Sequence, residues 1–155
     1  MKKILFVCLG NICRSAIAEG ILRNKIDTQQ LNLVVDSAGT CSNHVGQAPD
    51  QRMQQKAIEH GLSISKQRAR QFSVTDFDDF DYIFAMDNSN YQNILRLAKN
   101  ENDRLKVELF LNLSFPHQNL DVPDPYFGGE QGFEDVYQLV NSTCTILLNQ
   151  LKNEQ

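Results

Sequence analysis

Apolar residues gather in four short runs along the chain: Ile4-Leu5-Phe6-Val7, Leu31-Asn32-Leu33-Val34-Val35, Tyr82-Ile83-Phe84-Ala85-Met86 and Val107-Glu108-Leu109-Phe110-Leu111. Compact runs of this length predict strands buried on both faces. Between them the apolar spacing widens to three and four residues. Ser15 to Ile26 carries Ile17, Ile21, Leu22 and Ile26, Asp50 to His60 is closed by Gly61, and Ser89 to Lys99 carries Ile94, Leu95 and Ala98. These segments read as helices. A longer one runs from about Gly132 to Leu151, with Val136, Leu139, Val140, Thr143, Leu147 and Leu151 on its apolar face. Strands alternating with helices predict an α/β fold, a doubly wound four-stranded parallel sheet with helices on both faces, and the order expected of its strands is 2-1-3-4. The acidic cluster Asp76, Asp78, Asp79 and Asp81, interleaved with Phe77 and Phe80, reads as a solvated turn.

At 155 residues the chain fits one domain, residues 1–155, and its 41% apolar content is enough for a proper core. Fifteen basic against nineteen acidic residues give a net charge of −4. That balance offers no overall footprint for nucleic acid or an anionic membrane, so any anion site must be local. The run after Met1-Lys2-Lys3 is too short for a signal peptide, and no stretch approaches the ~20 apolar residues of a membrane span. The expectation is a soluble, cytoplasmic protein. Cys8, Cys13, Cys41 and Cys144 are too sparse for a disulfide scaffold and lack zinc-site spacing, so they are expected as free thiols with no metal.

A doubly wound sheet places its ligand beyond the carboxyl ends of the strands. There the chain puts Cys8-Leu9-Gly10-Asn11-Ile12-Cys13-Arg14-Ser15, then Asp36-Ser37-Ala38-Gly39-Thr40, Asp87-Asn88-Ser89-Asn90, and a loop with Asp121-Val122-Pro123-Asp124-Pro125-Tyr126. Cys8 and Arg14 frame five residues, a spacing that chance supplies about one time in five at ordinary usage. The setting says more. A buried strand ends at the cysteine, Gly10 and Asn11 tolerate unusual dihedrals, and a helix begins near Ser15. Such a curved loop turns its amides inward, and Arg14 adds a planar fork that grips two oxygens. The result is a cradle for a tetrahedral oxyanion. Its positive field favours an anionic, nucleophilic sulfur at Cys8, to which the Ser15 hydroxyl can donate; Ser15 also reads as a plain helix cap, and the two roles are compatible.

With the distal Asp124-Pro125-Tyr126, the segment Val7 to Ser15 resembles the low-molecular-weight protein tyrosine phosphatases. Asp36-Ser37-Ala38-Gly39-Thr40, Pro49-Asp50-Gln51-Arg52, Arg68-Ala69-Arg70-Gln71 and Asp81 to Asp87 resemble family blocks in the same order. The resemblance implies a protein tyrosine phosphatase domain that needs neither metal nor cofactor. It acts on phosphotyrosine in proteins through a phosphocysteine at Cys8, with Arg14 on the phosphoryl oxygens and Asp124 as general acid and then base. Asp121 is the rival carboxylate, but only Asp124 matches the family's Asp-Pro-Tyr. Leu9, Gly10, Asn11, Ile12, Cys13 and Ser15 on the loop, with Tyr126 and Phe127 opposite, are the expected substrate-binding residues. Asn11 is expected in a strained conformation paired with Ser37, and Asp87 as a support for the loop or a helix cap. Cys13 is the expected redox partner of Cys8, against the plainer reading that it packs under the loop.

Three departures bear on substrate preference. Gln67 stands where many relatives have histidine, so support from an imidazole would have to come from an amide. Asn43 replaces a rim aromatic, and Phe127 replaces the commoner second tyrosine. Arsenate reductases on this scaffold carry extra cysteines after the third strand, and Asn88 to Asn100 has none. Phosphoarginine-selective relatives tend to carry Thr where this chain has Ile12, so the bulkier side chain favours phosphotyrosine. A catalytically silent phosphoryl-binding module would not be expected to keep Cys8, Arg14 and Asp124 together, and no nucleotide-binding G-x-x-x-x-G-K-[ST] occurs. The oligomeric expectation is a monomer or weak dimer.

Overall fold

A computed structural model describes residues 1–127 and 129–154, and of Phe127 the backbone alone. Four strands, β1 (Lys2–Cys8), β2 (Leu33–Gly39), β3 (Tyr82–Ala85) and β4 (Val107–Leu109), form one parallel sheet in the order β2-β1-β3-β4. The connections carry the helices α1 (Arg14–Gln29), α2 (Gln51–Glu59), α3 (Asp76–Asp79), α4 (Asn88–Leu95) and α5 (Glu101–Leu105), and α6 (Gly129–Asn153) ends the chain.

Side-chain alternation along β1 divides the core in two. Ile4, Phe6 and Cys8 face α1, α2 and α6, where Ile17, Leu22, Met53, Val140 and Leu147 meet them. Leu5 and Val7 face the other way, onto Phe77, Ile94, Leu109 and their neighbours. Both faces of the central strand are therefore dry, which is why its sequence is a solid apolar run.

The boundaries differ from expectation for local reasons. Leu31 belongs to the end of α1, not to a strand. Gln30 adopts φ 54°, and the Leu31 N–H bonds Ile26 O at 3.0 Å, closing the helix with an apolar residue just beyond its turn. The strand instead starts at Leu33 and continues through the polar Asp36 and Ser37 to Gly39, in register with Leu5 to Cys8. Phe110 and Leu111 are buried as foreseen, but in a 3-10 turn (Phe110–Leu113) after a three-residue β4. The helix expected to reach Lys99 stops at Leu95, and Asn100 caps a separate α5.

The acidic cluster is not wholly a solvated turn. Asp76 opens α3 and is buried, because Arg70 grips it with two bonds of 3.1 and 3.0 Å while also reaching Asp36 at 3.2 Å. Asp78, Asp79 and Asp81 are exposed. Among the described residues no helix is long and apolar enough to cross a membrane.

Candidate active site

Beyond Cys8 the chain turns through residues 9–13 into α1, and neighbouring backbone fixes the path. The carbonyls of Cys8, Leu9 and Ile12 accept from the N–H groups of Thr40 (2.9 Å), Cys41 (3.0 Å) and Asp50 (2.9 Å). A trans peptide points its N–H opposite to its carbonyl, so the amides of Leu9, Gly10 and Cys13 face the inside of the curl. Asn11 makes the bend with φ 60°, a left-handed conformation that asparagine tolerates. Its N–H bonds Cys8 Sγ at 3.2 Å. Gly39 lies so close behind that a Cβ there would stand 2.8 Å from Leu9 O and 3.0 Å from the Gly10 carbonyl carbon, so only glycine fits.

Ser15 Oγ lies 2.9 Å from Cys8 Sγ, and the chain of hydrogen bonds behind it sets the direction of donation. Ser37 spends its proton on the buried Glu19 (2.6 Å) and so accepts from Asn11 Nδ2 (2.9 Å). Asn11 Nδ2 also donates to Ser15 Oγ (2.8 Å), so Ser15 is itself a donor, and of its two acceptors the Cys8 sulfur at 2.9 Å is nearer than Ala38 O at 3.5 Å. Glu19 is in turn paired with Arg23 at 2.6 Å, and Asn11 Oδ1 accepts from Arg70 N at 3.1 Å. The expected Asn11–Ser37 pairing is present. Ser15 is not the helix cap: α1 begins at Arg14, with Cys13 at the capping position and no side-chain cap bond.

Arg14 is only 4% exposed. Its Nη1 donates to Asp87 Oδ2 (2.7 Å) and Val122 O (3.0 Å), and its Nη2 stands 3.8 Å from Asp124 Oδ2. Burial works against its charge, but Cys8, Asp87 and Asp124 outweigh burial and raise its pKa. The other oxygen of Asp87 caps α4 through Asn90 N at 2.7 Å. Asp124 has its side chain 41% exposed, and its Oδ1 accepts from Tyr126 N at 3.0 Å. Asp121 instead accepts from Asn88 N and Nδ2 at 2.8 and 2.7 Å.

These groups enclose a cavity of ≈ 260 Å³. Cys8, Gly10, Cys13 and Arg14 line its floor, Leu9, Ile12 and Tyr126 its apolar walls, and Asp124 its lip. Asn11 and Ser15, expected at the substrate, stand behind the loop, where both are buried. The Phe127 side chain lies outside the described residues. Cys13 is a buried thiol whose pKa is pushed up by burial and by the charges of Asp50, Cys8 and Asp124. Cys41, Asn43 and His44 complete the rim. Gln67 does not replace an imidazole in the network: its amide donates to Ala16 O at 3.1 Å. Glu19 escaped sequence reading, although its spacing from Ser15 and Arg23, four residues each way, marks a polar stripe on an otherwise buried helix. No group of three or more His, Cys, Asp or Glu among the described residues is arranged to hold a metal ion.

Inward amides and a buried guanidinium at the end of the first strand of a parallel α/β sheet make a pocket that suits a tetrahedral oxyanion beside a cysteine. The model of the Low molecular weight phosphotyrosine protein phosphatase family matches residues 3–155, and the chain belongs to that family, which makes it a protein tyrosine phosphatase by descent. It is 46% identical over 149 residues to the low molecular weight phosphotyrosine protein phosphatase of Schizosaccharomyces pombe, covering 94% of each chain. The solved structure of a protein tyrosine phosphatase from Entamoeba histolytica superposes with a TM-score of 0.92 at 39% identity, covering 99% of both chains. The structure of a Drosophila arginine phosphatase superposes at 0.89 with 38% identity over 98% of both.

Proposed function

We propose that the protein removes phosphate from phosphotyrosine in proteins, and from small aryl phosphates, in two steps through a phosphocysteine at Cys8. The observation that carries this reading is the placement of the Cys8 sulfur: on the floor of the cavity, 2.9 Å from a hydroxyl free to donate to it, beside inward amides and Arg14. In the first step the sulfur anion forms a bond to phosphorus as the ester P–O bond breaks. Arg14 and the loop amides of Leu9, Gly10 and Cys13 hold the equatorial oxygens as charge spreads over them. Asp124, at the lip, gives its proton to the departing phenolate. In the second step Asp124 takes a proton from water, whose oxygen bonds phosphorus while the S–P bond breaks, returning the thiolate and releasing phosphate. Leu9, Ile12 and Tyr126 hold the aryl ring. No step calls for a metal or cofactor. The reading includes a single domain over residues 1–155, acting as a monomer or weak dimer in the cytoplasm.

Cys13 serves the same site as a redox partner. A peroxide converts Cys8 to a sulfenic acid, which condenses with the Cys13 thiol to a disulfide and water, reversibly stopping turnover.

The likeness to an arginine phosphatase raises phosphoarginine as a second substrate. Ile12, half-buried on the cavity wall and packed against the core, narrows the site to a flat apolar ring and favours phosphotyrosine. Purified protein is expected to hydrolyse phosphotyrosine peptides in the presence of chelator and far faster than phosphoarginine peptides. Asp124→Ala is expected to slow turnover about 10²- to 10⁴-fold, most for poor leaving groups. Chelator-sensitive activity, or faster release from phosphoarginine, contradicts the assignment.

A further inference from the structure

The start of α2 meets two walls of the cavity at once. At its capping position the Asp50 N–H bonds the carbonyl of Ile12 at 2.9 Å, which fixes one apolar wall from behind. Two residues on, Arg52 reaches another wall: its guanidinium carbon lies over the Tyr126 ring, 5.1 Å from the centroid. The same carbon lies over the ring of Phe133 at 4.7 Å, and Phe133 is 1% exposed and part of the core. Tyr126 is 42% exposed. One cation, within cation–π reach of both, thus joins a ring locked in the core to a ring that stands half in solvent.

Asp50 sets where that cation sits. Its two oxygens accept from Arg52 Nε and Nη2 at 3.2 and 3.1 Å, a planar fork on a planar acceptor, and Oδ1 also accepts from the Arg52 N–H at 2.8 Å. Burial works against the Asp50 charge, but the hydrogen bonds and charge of Arg52 outweigh burial and lower the carboxyl pKa, so the pair stays ionised. With the Arg52 side chain 48% exposed, such a pair adds little to folding stability. It does hold a guanidinium against a ring that an aryl substrate must touch.

We propose that Arg52, held by Asp50, is a positioning residue that braces the Tyr126 ring against the core and so fixes the slot for the substrate's aryl group. The proposal rests on the aryl phosphate reading of the cavity. Tyr126 meets Asp124 through its backbone N–H and not through its ring, so a shifted ring leaves the general acid in place. The brace therefore acts on binding of the ring, not on transfer of the phosphoryl group.

Two competitive inhibitors separate these effects. Phenylphosphonate carries the anion and a ring, inorganic phosphate the anion alone. Arg52→Gln is expected to weaken phenylphosphonate inhibition about twofold to fivefold, the worth of one exposed cation–π contact, and to leave phosphate inhibition unchanged. On p-nitrophenyl phosphate the loss should appear in KM, with kcat unchanged. Arg52→Lys, which keeps the charge but not the fork, should show a smaller loss of the same kind. In a Tyr126→Leu background, with no ring to brace, Arg52→Gln should have no further effect on phenylphosphonate. Unchanged phenylphosphonate inhibition in both Arg52 variants, equal weakening of the two inhibitors, or an undiminished effect in Tyr126→Leu overturns the brace while leaving the phosphatase reading standing. Wild-type protein that hydrolyses no aryl phosphate, by contrast, overturns the phosphatase reading and the brace with it.

Discussion

At the scale of single residues, the chemistry depends on where a few protons point. Ser37 donates to Glu19, Asn11 donates to both serines, and Ser15 donates in turn, with Cys8 nearer to it than the Ala38 carbonyl. The order begins at the carboxylate, so the network reads as a relay of orientation from Glu19 to the sulfur. Removing the last donor, with Ser15→Ala, should lower kcat/KM about 10- to 100-fold, the worth of a hydrogen bond to a charged group. Steady-state kinetics on an aryl phosphate with matched thermal melts will show whether the loss is catalytic; unchanged kcat/KM would remove Ser15 from the mechanism. Much of this site was legible from residue types alone. Cys8, Arg14 and the inward amides lie within one local turn, so their arrangement follows from chain geometry over eight residues. Glu19 and the Arg70 backbone come from elsewhere in the fold, and only packing brings them beneath Asn11.

Elements set the loop in place, chiefly through β2. That strand continues past its apolar part because Asp36, Ser37 and Gly39 run beneath the loop, where a polar side chain and a missing one are both required. Hydrophobic patterning could not foresee the extension, since residues chosen for hydrogen bonding and close approach break the apolar run. The same logic hid the end of α1, where Leu31 is apolar for the sake of a helix cap. It hid Asp76 as well, whose burial depends on Arg70 six residues away rather than on its acidic neighbours. The backbone of the loop, not a flexible side chain, faces Gly39. Gly39→Ala should therefore displace Leu9 to Asn11, costing about 1–3 kcal/mol of stability and a disproportionate share of activity. A variant that keeps wild-type kcat/KM while melting a few degrees lower would show that the close approach serves packing only.

For the whole molecule, a parallel sheet with helices on both faces followed from alternation of strand and helix signals, and the structure has it, with the strands in the expected order β2-β1-β3-β4. One feature outside the site joins distant parts of the chain. Glu134 on α6 meets His60 at 3.0 Å and Lys56 of α2 at 3.4 Å, holding α6 to α2 just after the segment that carries Asp124. Hydrogen bonds from Gln138, His60 and Lys56 lower its carboxyl pKa to about 2. An unfolded glutamate titrates near ~4.3, so the folded state holds this group deprotonated more strongly than the unfolded one. The stability it contributes is complete above that value and is lost as pH falls toward about 2. Glu134→Gln should melt below wild type at neutral pH, with the gap closing as the pH is lowered through the carboxylate range. A gap that stays constant with pH would rule out the ionised carboxylate as its source.

The central claim is that sulfur, held by backbone dipoles and a guanidinium, carries the phosphoryl group between substrate and water. Rapid acid-free quenching during turnover of an aryl phosphate, followed by peptide mass analysis, measures this directly. The account predicts one phosphoryl group on the peptide containing Cys8, more of it in Asp124→Ala if water attack is slowed more than transfer, and none in Cys8→Ser, which should also be inactive. Turnover in Cys8→Ser, or a phosphoryl group found on a residue other than Cys8, would contradict it.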